Sequence, residues 1–472
     1  MGTVHAKIPN ETPSNVSSFA KQTGLHEESQ KEPEVKEVDL ERVRVRVDKI
    51  NVDGLGRTKD DIVEDCIQEL FKAKDFKEVL LQSLSTRTKL EELGCFKNIG
   101  VYIDTSKGPN ASPDGLEVTF DVKEFKRVTG GISTQVGNNE GSVLVGMRAP
   151  NIFGRGEKVQ VEYSHGSKKT SNFNLAFIKP FRGKHRPMLK TSVFQAHSEW
   201  PSSGYKQLER GLLLDIGFNS GSLFKHNLQW EGAVRDLSTL TRSASFDVRE
   251  QSGASLKSSI KHILTVDFRD EPIFPSTGSI VQLTSELAGL GGDIGFLKNE
   301  IFFQDNYSLF EDIVIQTSLM AGYISPTNND KKVTIADRCF IGGPLSIRGF
   351  QARGVGPHVD GDSLGSSSYW AAGLHLFTPL PFRPGRGGFG DLFRTHFFVN
   401  AGNVGDFSLE KTSKSDIVQV LKENMRISYG LGVALKLGNM ARLEVNYCFP
   451  YRFEKGDQTH PGVQFGIGVQ FL

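Results

Sequence analysis

Three consecutive segments near the C-terminal end alternate apolar and polar residues with a period of two, and nothing else in the sequence narrows the possible folds as much. In the last, Val463, Phe465, Ile467, Val469 and Phe471 take one face while Gln464, Gly466, Gly468 and Gln470 take the other. Before it, Ala441, Leu443, Val445 and Tyr447 oppose Arg442, Glu444, Asn446 and Cys448. Earlier still, Ile427, Tyr429, Leu431, Val433 and Leu435 oppose Arg426, Ser428, Gly430, Gly432 and Lys436. A period of two is the signature of a strand whose faces meet different surroundings. About sixteen such segments follow residue 128 without a convincing helix, with RSASFDVRE (Arg242–Glu250) as one further candidate. A span of about 345 residues at about 20 per strand and turn gives the same number. Closing sixteen strands leaves an interior too wide for side chains to fill, so the polar face lines water and the apolar face meets lipid. The expected fold is an all-β transmembrane barrel of about 16 antiparallel strands.

Averages conceal this. Mean hydropathy is only −0.30, and no run of roughly 18 uncharged apolar residues marks a membrane helix. The 56 Lys and Arg against 55 Asp and Glu argue against a nucleic-acid partner. Cys66, Cys95, Cys339 and Cys448 are scattered without CxxC or disulfide-framework spacing, as expected of ordinary thiols in a reducing compartment. The histidines lack metal-ligand spacing, so neither a metal nor a cofactor is expected. The first residues have neither a secretory signal nor an Arg-rich presequence. Gly2 opens a myristoylation pattern that fails at Ala6, and sequons at Asn10, Asn15 and Asn306 matter only in a secretory lumen.

Residues 1–38 are polar and too poor in apolar groups to offset the entropy of ordering, which predicts a disordered tail. Residues 39–126 read as a small α+β domain in the order β-α-α-β-β. Val43, Val45 and Val47 alternate with Arg44, Arg46 and Asp48 in its first strand. Thr58 is placed to cap a helix with Ile62, Cys66, Leu70 and Phe71 on one face, and a second helix stops at Gly94. The barrel then occupies residues 127–472.

Its one very long connection, at about 325–367, contains GGPLSIRGF (Gly342–Phe350). Loops of that length are functional or disordered. If the segment folds into the lumen, Arg348 needs a carboxylate there, and Glu444 is the only one facing inward in the last three strands. The alternative is a solvated loop arginine. GDSLG (Gly361–Gly365) matches a nucleophile elbow, but a Gly-rich loop precedes Ser363 and a strand follows, so no catalysis is expected. GRGGFG (Gly385–Gly390) matches a phosphate-binding pattern but opens no helix. Hydrolysis of an ester by Ser363 stands as the enzymatic reading, and the non-enzymatic one is preferred.

IRGF (Ile347–Phe350), the upstream β-α-α-β-β domain and a barrel reaching the last residue together resemble the BamA-like outer-membrane insertase superfamily. The likeness is strongest to its mitochondrial branch, the core β-barrel subunits of the sorting and assembly machinery (SAM). VDGLGRTKDD (Val52–Asp61), VGNNEGS (Val136–Ser142), AGLHLFTPLPFRPG (Ala372–Gly385), LFRTHFFVNAGN (Leu392–Asn403) and PGVQFG (Pro461–Gly466) are similar to that branch. The resemblance implies a POTRA-like N-terminal domain towards the intermembrane space of mitochondria and insertion of β-barrel precursors into the outer membrane. Its implied partners are those precursors, the lipid bilayer, other SAM subunits and inner-membrane cristae-organising proteins. It further implies a lumen loop carrying Ile347, Arg348, Gly349 and Phe350. Relatives often have aspartate where this chain has Asn400, which leaves Glu444 or Asn400 as partner of the arginine. A lateral gate is implied between the first strand (Gly130, Gly131, Ile132, Ser133, Thr134, Gln135) and the last (Gln464, Gly466, Gly468, Val469, Phe471). A polypeptide-translocating pore of the same superfamily is the alternative.

Overall fold

The computed structural model describes residues 43–107, 111–137, 140–181, 183, 185–310, 312–327, 331–380, 389–407, 412–438 and 440–472. The polar tail, the tip of the first hairpin and most of GRGGFG lie outside the described residues.

Near the N-terminus, β1 (Arg46–Asp53), α1 (Asp60–Ile67), α2 (Phe76–Glu92), β2 (Phe96–Thr105) and β3 (Gly115–Glu124) form one small unit. Its sheet has the order β1-β3-β2, with β1 parallel and β2 antiparallel to the central β3. Leu70, Val79, Leu90, Val118 and Phe120 are fully buried between sheet and helices. Two sequence expectations fail here. Phe71 is half exposed, because α1 tightens into a 3-10 turn at Gln68–Lys72 that rotates it off the core face. The Thr58 hydroxyl does not cap α1. It donates instead to Glu124 Oε1 at 2.6 Å, joining the backbone N–H groups of Gly56, Arg57 and Thr58 on that carboxylate.

This unit docks on the barrel through the turn at residues 151–157. The Asn151 amide donates to Thr58 Oγ1 at 2.8 Å, Lys59 N donates to Gly154 O at 2.9 Å, and Arg155 pairs with Asp61 at 3.0 Å. Arg186, from the turn after the fourth strand, pairs with Glu92. The domain therefore sits at the barrel end where the first strand begins.

One sixteen-stranded sheet contains the rest, running from Thr129–Gly137 to Gly462–Gly468 with every neighbouring pair antiparallel. Polar residues point inward and apolar ones outward, as alternation demands. Arg442, Glu444, Asn446 and Cys448 are buried on the inner wall, while Leu431, Val433, Tyr447, Val463 and Phe465 are exposed on the outer. Among the described residues no helix is long and apolar enough to cross a membrane. RSASFDVRE is not a strand. Phe246–Glu250 is a short helix in the loop between the seventh and eighth strands, with Val248 buried.

Burial alone would raise the Glu124 carboxyl, but the hydrogen bonds from Thr58 and from the Gly56 and Arg57 backbone pull it down to about 2. A depressed folded value contributes stability above the unfolded carboxylate range and loses it as pH falls towards 2. Glu124→Gln is therefore expected to weaken the N-terminal unit by on the order of 2 kcal/mol at neutral pH and to flatten its acid limb. Rates of proteolysis within residues 43–126, followed from pH 7 to 3, measure both effects.

Candidate functional site

The long connection after the eleventh strand (Ile313–Pro326) folds back into the barrel and crosses it. Arg348 is fully buried. Its Nε donates to Glu444 Oε2 at 2.9 Å, Nη2 lies 2.8 Å from the same oxygen, and Nη1 donates to Asn400 Oδ1 at 3.3 Å. Glu444, also without solvent exposure, holds a second cation, Arg442, at 2.9 Å through Oε1. Asn446 Nδ2 donates to Glu444 Oε2 at 2.8 Å and its Oδ1 accepts from His396 Nδ1 at 2.9 Å, and His396 Nε2 in turn contacts His375 Nδ1 at 2.9 Å. Ion pairs so far from water persist only when their remaining hydrogen-bonding groups are met as well, and this ring of polar groups meets most of them.

The turn around Arg348 is fixed from the last strand. Gly349 N donates to Gln464 Oε1 at 3.0 Å, and Gln464 Nε2 donates to Phe350 O at 2.8 Å. Gly349 has φ +83°, a conformation that favours glycine. Gly466 and Gly468 make room for the loop, since a Cβ on either would come within about 3.0 Å of Pro344 or Leu345. The connection before the last strand joins in, with His460 N donating to Gly349 O at 2.7 Å and Gln351 N to Gln458 O at 2.9 Å.

Two more ties hold the loop to the other side of the barrel. Asp337 accepts from Arg235 at 2.7 Å, within a cluster that includes Glu209, Lys257 and Glu286. The Arg353 guanidinium lies 3.9 Å from the Trp200 ring centroid and 4.0 Å from that of Phe340, and it donates to Ser203 and Tyr205 hydroxyls. Asp337 is 102 residues from Arg235, and Arg353 is 150 from Ser203 and 148 from Tyr205, so no local pattern joins these partners. The His375–His396 contact was equally hidden, because each histidine is alone in its own segment.

At the seam the structure differs from the sequence reading. The last strand stops at Gly468, so Val469 and Phe471 are not part of its ladder. Val469 is exposed, but Phe471 and Leu472 turn inward and are buried. Phe471 lies 4.4 Å from the Arg442 guanidinium and 5.5 Å from that of Arg348, and Leu472 N donates to Leu345 O at 2.9 Å. Contact with two cations and with the apolar loop cluster of Ile347, Phe350 and Val355 outweighs two further rungs of ladder. The first strand is the opposite case: Gly130, Gly131, Ile132, Ser133, Thr134 and Gln135 are all exposed. Some Cα atoms of the first and last strands approach within 8 Å. Among the described residues no ladder joins them, and they form the two ends of the sheet.

Ser363 is buried in a two-residue strand of the loop, followed by no helix. No group of three or more His, Cys, Asp or Glu among the described residues is arranged to hold a metal ion.

Residues 151–471 match the Omp85 superfamily domain. The chain is 46% identical over 476 residues to the human sorting and assembly machinery component 50 homolog, covering 100% of both chains. It is 45% identical to the Xenopus tropicalis homolog over the same number of residues, again covering 100% of both. Its fold is similar to the crystal structure of BamA from Haemophilus ducreyi lacking POTRA domains 1-3. That match has a TM-score of 0.71 at 21% identity and covers 90% of this chain and 84% of that one.

Removing one partner of a buried ion pair costs about 3–5 kcal/mol. Glu444→Ala strands two arginines, whereas Arg348→Met leaves Arg442 to neutralise Glu444. The alanine variant is therefore expected to lower the temperature at which the compact form is lost on semi-native gels by the larger amount. The reverse ranking would contradict the assigned network.

Proposed function

Because this chain belongs to the Omp85 superfamily, within the sorting and assembly machinery component 50 family, we propose that it inserts β-barrel precursors into the mitochondrial outer membrane through its lateral seam. The observation that carries this reading is the first strand, whose seam edge has no ladder partner among the described residues, facing a last strand of only seven residues. Unpaired backbone N–H and C=O groups are costly in hydrocarbon, so the edge has a standing free-energy reason to take up another strand. A precursor strand that pairs there satisfies both its own backbone and the edge by β-augmentation. No bond is made or broken, and the membrane-facing alternation of each new strand supplies the driving force.

The lumen loop supports the seam rather than the pore as the working surface. Asp337, Arg348 and Arg353 tie it to separate parts of the wall, and a translocating polypeptide would have to displace all three ties. The loop also fixes the last strand through Gln464, which leaves the first strand as the edge free to exchange. We place the N-terminal domain in the intermembrane space, at the end from which the first strand starts and from which precursors arrive. Other components of the machinery, and cristae-organising proteins of the inner membrane, are its proposed partners on the two sides.

A disulfide scan in a variant lacking Cys66, Cys95, Cys339 and Cys448 tests the mechanism. Ser133→Cys or Gln135→Cys is combined with single cysteines along a precursor's final strand and oxidised during import. Crosslinks are expected in a residue-by-residue antiparallel register. Crosslinks confined to a lumen position such as Asn446→Cys, with none at the first strand, would favour the pore.

A further inference from the structure

At the barrel end that meets the N-terminal domain lies a concave site of about 540 Å3, lined by Arg57, Arg127, Ala149, Ile152, Phe153 and Gly154. Ile152 is 42% and Phe153 64% exposed, on the turn between the second and third strands. Arg127 precedes Thr129, the first residue of the open edge, by two positions, and Arg148 stands opposite Thr129 in the ladder. Arg57 is committed to Glu124 and to the Phe125 carbonyl. Neither Arg127 nor Arg148 pairs with a carboxylate among the described residues. A second hollow, of about 270 Å3, lies across the first three strands, from Thr129–Ser133 over Arg148 to Gln160 and Glu162, and Arg127, two positions before Thr129, brings the first site to the start of the open strand.

Sixteen strands in antiparallel succession make the last run opposite to the first. A strand that takes up the open edge in that same sense delivers its C-terminal end to Thr129, and so to this site. We propose that the site receives the C-terminal end of the incoming precursor strand. Its last apolar side chain packs on Ile152 and Phe153, and its terminal carboxylate binds the Arg127 guanidinium. A planar guanidinium matches a carboxylate with paired hydrogen bonds, and two adjacent exposed apolar side chains gain by being covered. A phospholipid headgroup would meet the charge but leave the backbone groups of the edge unpaired. This inference rests on edge pairing as proposed above, and gives that pairing a register mark at its end.

The test uses the full-length chain in lipid nanodiscs and a fluorescent peptide, GVQFGIGVQFL, copied from Gly462–Leu472, made as the free acid and as the C-terminal amide. The acid is expected to bind about tenfold more tightly than the amide, one charge-assisted contact being of that order. Arg127→Gln should abolish the difference, Arg127→Lys should keep part of it, and Phe153→Ala should weaken both forms alike. Equal binding of acid and amide, or a difference that survives Arg127→Gln, overturns the proposal. So does a loss of co-purified anionic phospholipid in Arg127→Gln at unchanged peptide affinity, which would make this a lipid site. Crosslinking of the peptide, carrying one cysteine, to Ser133→Cys reads edge pairing separately. Crosslinks without acid preference sink the carboxylate site alone, whereas no crosslinks at all sink edge pairing and this site with it.

Discussion

A carboxylate and two guanidinium groups sit together inside this barrel with almost no access to water, and the rest of the architecture is arranged around them. Glu444 holds Arg348 at 2.8 Å and Arg442 at 2.9 Å. Such a cluster is weak evidence for stability, since desolvation offsets most of the attraction. Its value is positional. Arg348 has one place where its charge can be met, so the loop that carries it has one register against the wall. A sixteen-stranded cylinder has no hydrophobic core of its own, and the pinned loop supplies an interior: Ile347, Phe350, Val355 and Leu472 form a small apolar cluster around the ion pair.

That arrangement divides the seam into unequal halves. The last strand is bound from inside by Gln464, by the room that Gly466 and Gly468 leave for Pro344 and Leu345, and by the inward turn of Phe471 and Leu472. Among the described residues the first strand has no comparable attachment: Gly130–Gln135 are exposed, and its one ladder is to the second strand. Rigidity on one side and an unsatisfied edge on the other are the physical basis of the proposed exchange. The N-terminal unit, tied to the adjacent turn through Thr58 and Asn151, stands at the barrel end where that edge begins.

Much of this was legible in the sequence because alternation is a local property. The sixteen-stranded fold and the inward face of the fifteenth strand followed from period two, and a charge argument then singled out Glu444 for Arg348, the contact that the structure contains. Where the reading failed, a tertiary contact overrode a local rule. Phe471 continues the outward parity of its strand, yet two buried arginines draw it inward. Thr58 has the sequence context of a helix cap, yet the Glu124 carboxylate claims its hydroxyl. Phe246–Glu250 is too short for periodicity to separate helix from strand. The anchors of the loop at Asp337 and Arg353 join residues from distant strands, and no local pattern encodes such pairs.

In the proposed exchange the first and last strands must part for a precursor to enter the membrane. A reversible covalent lock tests it most directly: a cysteine within residues 131–135 and another within 464–468, in the variant without native cysteines, oxidised before import of a barrel precursor begins. The oxidised protein is expected to stop insertion, with Arg348 and Glu444 untouched, and a reductant to restore it. Insertion at an unchanged rate through the locked seam would contradict the exchange.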